Sequence, residues 1–286
     1  MRNFFYPTNL TNLQERFPMN WIRCFFLLLG STFISSQTSS ADEDFTTQLM
    51  RATIKIAHEK STATGFILKK NNEEKHMLIT AYHVLNNTPG DETTVIFRTK
   101  KAEGEYIKEP MKVSIRKDGK PLWAKHPTED IAALWITPPK NADLSSLSTD
   151  LLASDVLLQK HKIHPGELIA NLGYPHRAEA NSAGFPILRN GSIATYPLYP
   201  TAKTRTFLMS GNIFEGDSGG PVFLYRPSRT ESDKDEARLI LGLVTAQHFL
   251  DEDIKLIYGT SKIRHRLGLA IIVHASLIKE TIDLLK

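Results

Sequence analysis

From residue 65 to residue 273 the apolar residues of this chain fall in short runs of four to seven, bounded by polar turns, rather than in long amphipathic stripes. Residues 65–68 and 77–80 read as a hairpin closed by Asn71-Asn72-Glu73-Glu74, and residues 93–98 and 111–116 as further strands. Residues 168–172, 192–196, 206–210, 222–225, 239–245 and 269–273 repeat the style. The charged stretch 228–236 reads as a solvated loop between two of them. Strand spacing of this kind predicts an all-β protein with closed barrels. One helix is expected at the end, with Ser276 as N-cap and Leu277, Ile278, Ile282 and Leu285 at helical spacing. The Pro- and Ser-rich stretch 138–148 is the best linker, which predicts an N-terminal domain over 42–145 and a C-terminal one over 146–286.

A chain of 286 residues with 41% hydrophobic and 23% charged residues suits a globular protein with one large core or two medium ones. The net charge of +4 falls to +2 over residues 42–286, because the first 41 residues hold Arg2, Arg16 and Arg23 against Glu15. So small an excess points to no nucleic-acid partner. Phe25-Phe26-Leu27-Leu28-Leu29 continues to Ile34 behind Arg23, an apolar stretch too short for the roughly 20 residues that span a bilayer. With Ser39-Ser40-Ala41 after it, the expectation is a signal peptide over 1–41 and a mature chain from Asp42, with Met19 as an alternative start. An uncleaved anchor is the competing reading. Cys24, the only cysteine, lies inside this leader, so the mature chain has no internal disulfide.

The run Gly216-Asp217-Ser218-Gly219-Gly220-Pro221 carries the chemistry. At average residue frequencies chance places it in a chain this long on the order of once in 100,000 sequences. It resembles the nucleophile loop of the chymotrypsin/trypsin-like serine endopeptidases. Upstream, in the order that family uses, Leu78-Ile79-Thr80-Ala81-Tyr82-His83-Val84-Leu85 is a strand-like segment containing a histidine, and Asp130-Ile131-Ala132-Ala133-Leu134 puts a carboxylate before an apolar run. The resemblance implies two six-stranded antiparallel barrels side by side with a short C-terminal helix. It implies Ser218 as nucleophile, His83 as base, Asp130 as orienting carboxylate, and the N–H groups of Gly216 and Ser218 as oxyanion donors. No metal or cofactor is needed, and the partner is a protein or peptide substrate. Without cysteines after the leader, the chain is similar to bacterial secreted or periplasmic members. No appended peptide-binding (PDZ) domain is expected, since only 11 residues follow Ala275, nor any membrane contact once the leader is cleaved.

The same resemblance places the substrate pocket between residues 211–215 and 242–247. Trypsin-like enzymes carry an aspartate six residues before the serine; here Asn212 stands there, which removes the usual charge for Lys or Arg. Thr245 and Gln247 form the other wall, so the expected preference is for uncharged residues. No Ile-Val-Gly-Gly string exists to supply a new terminus for Asp217, which must pair with backbone donors or with a Lys or Arg. Two other readings compete. Gly216 to Gly220 matches the Gly-x-Ser-x-Gly elbow of esterases and lipases, which needs a helix after the serine. A binding protein that keeps this fold without catalysis is the other. His161, His164 and His248 are read as solvated or structural.

Overall fold

The computed structural model describes residues 44–59, 61–70, 75–145, 147–227 and 236–286. The expected signal peptide, the turn at 71–74, Ser146 at the expected domain boundary and residues 228–235 lie outside them.

The first element is a helix that strand spacing did not announce, α1 (Phe45–Ala52). Asp44 caps it: its carboxylate accepts the Thr47 hydroxyl and, at 3.0 Å, the Thr47 N–H, and these bonds hold the Asp44 carboxyl below its ordinary value. At the other end Arg98, 1% exposed, donates to the carbonyls of Met50, Arg51 and Thr53 at 3.4, 2.7 and 2.9 Å. A cation there meets the negative end of the helix dipole and satisfies carbonyls that the helix cannot.

Nine strands come next: β1 (Thr53–His58), β2 (Ser61–Lys69), β3 (His76–Thr80), β4 (Glu92–Lys100), β5 (Tyr106–Ser114), β6 (Arg116–Lys117), β7 (Lys120–Pro121), β8 (Ala124–Lys125) and β9 (Ala132–Ile136). A short helix, α2 (Tyr82–Asn87), interrupts them. Seven form an antiparallel sheet in the order β5-β4-β1-β2-β3-β9-β8, where six strands in a closed ring are expected. The reason lies between the two edges. Asp118 and Gly119 both take left-handed conformations (φ 52° and 70°) and fold β6 onto β7 as a separate ribbon. An Asp-Gly pair is a strong signal for such a turn. The ribbon lies in the chain between β5 and β8, the two edge strands of the sheet, which stay unpaired with each other.

The second half is a closed six-stranded barrel in the order β10-β11-β12-β15-β14-β13. Its strands are β10 (Leu168–Gly173), β11 (Ile187–Ile193), β12 (Thr206–Ser210), β13 (Pro221–Arg226), β14 (Ala237–Leu256) and β15 (Gly259–His274). The strand expected at 192–196 sits earlier, as β11. A helix, α3 (Asp155–Lys160), precedes the barrel with Ser154 as its N-cap. Buried residues of both halves, among them Phe45, Phe66, Leu78, Phe223 and Ile240, join in one core.

The closing helix is α4 (Ala275–Ile282), which buries Leu277, Ile278 and Ile282. Its N-cap lies two residues before the expected one, at His274, with no side-chain cap. Ser276 is not the cap; its Oγ is buried without a hydrogen-bond partner. The chain end returns to the first half, where Trp135 Nε1 donates to the Lys286 carbonyl at 3.0 Å.

Candidate active site

His83 lies on α2, not on a strand: β3 ends at Thr80, and the helix turns the imidazole back toward the loop after Lys125. There Asp130 receives two bonds from one residue. Its Oδ1 accepts the backbone N–H of His83 at 2.8 Å and its Oδ2 lies 2.7 Å from His83 Nδ1. Two bonds fix the ring's orientation, and a carboxylate acceptor selects the tautomer with the proton on Nδ1, leaving Nε2 with its lone pair. The side chains are 40% and 31% exposed, so the imidazole opens onto solvent.

Ser218 lies in the loop between β12 and β13, and it shares with His83 the lining of a cleft of about 240 Å³. Ile56, Thr62, Ala63, Glu215 and Gly216 are among its other lining residues. Thr64 of β2 holds the serine loop from the first sheet. Its N–H donates to the Ser218 carbonyl at 2.9 Å and its Oγ1 to the Gly216 carbonyl at 2.7 Å. Thr80 closes the chain by donating to the Thr64 carbonyl at 2.7 Å. From the barrel side the Gly219 N–H reaches the Val244 carbonyl at 2.8 Å, and the Val244 N–H reaches the Gly220 carbonyl at 3.0 Å. Gly219 has φ +84°, and a Cβ there would collide with Thr80 Oγ1 and the Thr64 carbonyl, so glycine is required. Among the described residues the N–H groups of Gly216 and Ser218 have no hydrogen-bond partner, whereas those of Asp217, Gly219 and Gly220 do.

Asp217 is fully buried, and its partner is Arg189 of β11, with Nη2 at 2.5 Å from Oδ1. The Phe214 N–H takes the other oxygen at 2.7 Å. Burial pushes the Asp217 carboxyl above its ordinary value, and the Arg189 guanidinium and the Phe214 N–H pull against it. Sequence reasoning asked for such a cation without locating it. Nothing in the string Ile187-Leu188-Arg189-Asn190 marks it; only the β10–β11 pairing brings Arg189 toward the serine loop.

Of the residues assigned to the substrate pocket, Asn212, Thr245 and Gln247 do not line the cleft that holds Ser218, whereas Glu215 does. Asn212 is exposed, and Thr245 Oγ1 donates to the Ile271 carbonyl at 3.2 Å. His248 is exposed on β14, and His164 pairs with Glu167 at 3.4 Å. The serine loop runs directly into the strand β13, not into the helix that an esterase elbow requires.

The family profile for the trypsin-like peptidase domain matches residues 63–226, more than half of the chain. The chain belongs to the trypsin-like peptidase family. That stretch contains His83, Asp130 and Ser218. A search of curated proteins finds no match. Among solved structures, the chain is similar to a serine-to-alanine mutant of Rv3671c from M. tuberculosis H37Rv in its inactive form, at 14% identity, covering 85% of this chain and 90% of that one with a TM-score of 0.45. The Rv3671c protease in its inactive form gives 15% identity over 84% and 91% with a TM-score of 0.43. The structure called HBP gives 13% over 82% and 90% with a TM-score of 0.46.

Proposed function

We propose that the protein is a serine endopeptidase that works through an acyl-enzyme. The observation that carries this is the paired His83 and Asp130 opening onto the same cleft as Ser218. In this reading Ser218 Oγ attacks the scissile carbonyl as His83 Nε2 takes its proton, and the same proton passes to the leaving amine. Asp130 holds the imidazole and stabilises its positive charge. Gly216 and Ser218 donate the two free N–H groups to the developing oxyanion, whose charge a fixed pair of donors stabilises without reorganisation. The substrate is a protein or peptide chain. Asn212, standing where a trypsin-like aspartate would be, supports uncharged residues before the cut. The leader over 1–41 supports export to the periplasm or medium, with the domains divided near residue 145.

The test is cleavage of an unfolded protein and of a peptide library by wild type, His83→Ala and Asp130→Asn. Cleavage by wild type alone, after uncharged residues, is the expected outcome. Equal cleavage by all three proteins excludes the assigned base and carboxylate, and cutting mainly after Arg excludes the proposed preference.

A further inference from the structure

An oxyanion hole at Gly216 needs the Glu215–Gly216 peptide turned so that its N–H is free. The Glu215 carbonyl accepts the backbone N–H of His176 at 2.7 Å. A trans peptide is planar with C=O and N–H on opposite sides, so a bond that captures this carbonyl directs the Gly216 N–H the other way. The space around the peptide is tight. A Cβ on Gly216 (φ +100°) would run into the Tyr174 carbonyl, with His176 N next to it.

His176 makes this bond from an unusual backbone. It and Arg177 are consecutive non-glycine residues in the left-handed region, at φ 47° and 69°. Left-handed backbone is unfavourable for residues with a Cβ, and the pair persists only where its surroundings hold it. The hold comes from the first sheet. Lys55 of β1 places Nζ 3.0 Å from the Arg177 carbonyl and 2.8 Å from Glu179 Oε1. Lys108 of β5 pairs with the other Glu179 oxygen. Burial works against ionisation of Glu179, but the two ammonium groups outweigh it and hold the carboxyl below its ordinary value. Tyr174, fully buried, adds an anchor: its hydroxyl lies 3.1 Å from the Gly184 carbonyl and 3.4 Å from Arg98 Nη1.

We infer that Lys55 is a positioning residue for the oxyanion hole, acting through the left-handed His176-Arg177 turn on the Glu215–Gly216 peptide. This rests on the serine-hydrolase reading above and adds a role for the first sheet beyond supplying His83 and Asp130. With the Lys55 ammonium gone, the Arg177 carbonyl loses its partner, the strained turn relaxes, and the Glu215 carbonyl is released to rotate its peptide. Removing one oxyanion donor costs about 10²- to 10³-fold in turnover, so a misplaced one is expected to cost about 10- to 100-fold.

The experiment compares full-length wild type, Lys55→Met and Lys55→Arg by crystal structure and by the rate at which a fluorophosphonate labels Ser218, with melting curves to confirm folding. In Lys55→Met the Glu215 carbonyl is expected to leave His176 and labelling to slow about 10- to 100-fold, while Lys55→Arg keeps most of the rate. If Lys55→Met does not fold, Glu179→Gln, which keeps both lysines without their counter-charge, is expected to show the same change at smaller size. A folded Lys55→Met with the peptide unmoved and labelling at the wild-type rate overturns the inference. Wild type that is never labelled contradicts the hydrolase reading instead, and the peptide orientation in Lys55→Met still decides this one.

Discussion

Arg189 reaches across the barrel to place Nη2 2.5 Å from Oδ1 of the fully buried Asp217, the residue next to Ser218. The serine loop therefore draws its counter-charge from a strand 28 residues upstream, with no new chain terminus involved. Removing one member of a buried ion pair leaves an uncompensated charge and costs about 3–5 kcal/mol. Arg189→Met is expected to lose about that much stability in denaturant titration and most of its peptidase activity. Arg189→Met combined with Asp217→Asn is expected to recover much of the stability.

The same pairing predicts a peptidase that needs no N-terminal processing. A variant with several residues added before Asp42 is expected to cleave peptides at the rate of the chain that begins there. An extension that abolishes activity, measured on purified protein of confirmed mass, would contradict this.

Thr64 couples the first sheet to the serine loop through its hydroxyl bond to the buried Gly216 carbonyl. Thr64→Val keeps the shape and removes the donor, so an acceptor is stranded at a cost of about 1–3 kcal/mol. The expected result is a melting point lower by several degrees together with slower turnover, read on one preparation by calorimetry and peptide hydrolysis.

His274 sets an acid limit on stability. Its ring packs on Phe207 at 4.9 Å, and burial pushes its pKa from 6.5 down to about 4, with Asp155 opposing weakly. Between those values the unfolded chain binds a proton that the folded one does not, so stability rises with pH through this window and falls as pH drops from about 6.5 to 4. A shift of this size corresponds to roughly 3 kcal/mol. His274→Gln is expected to lose correspondingly less between about pH 7 and pH 4.5 in denaturant titration. An identical loss in both proteins would assign the acid sensitivity elsewhere.

The serine loop and the strands that flank it were legible in the chain because their motifs are local. Gly216 to Pro221 is a backbone specification, and the apolar runs at 206–210 and 222–225 match β12 and β13 closely. The segment around His83 misled because its apolar residues suit a strand; tertiary contacts end that strand at Thr80 and wind the histidine into a helix. Arg189, His176 and Lys55 carry no local signal. Each acts on a residue at least 28 positions away, and only the closed barrel and the junction of the two halves bring them into contact. The Asp118-Gly119 turn was a readable signal for the separate β6–β7 ribbon.

The most direct test of the account is intact-mass analysis of wild type and Ser218→Ala after exposure to a fluorophosphonate, with peptide mapping of the adduct. The account predicts one adduct, on Ser218, in wild type alone, and about a 10⁴-fold loss of turnover in Asp130→Asn, the size found where this triad is well studied. Wild type that folds and takes no adduct at Ser218, or that is labelled equally in Ser218→Ala, would contradict it.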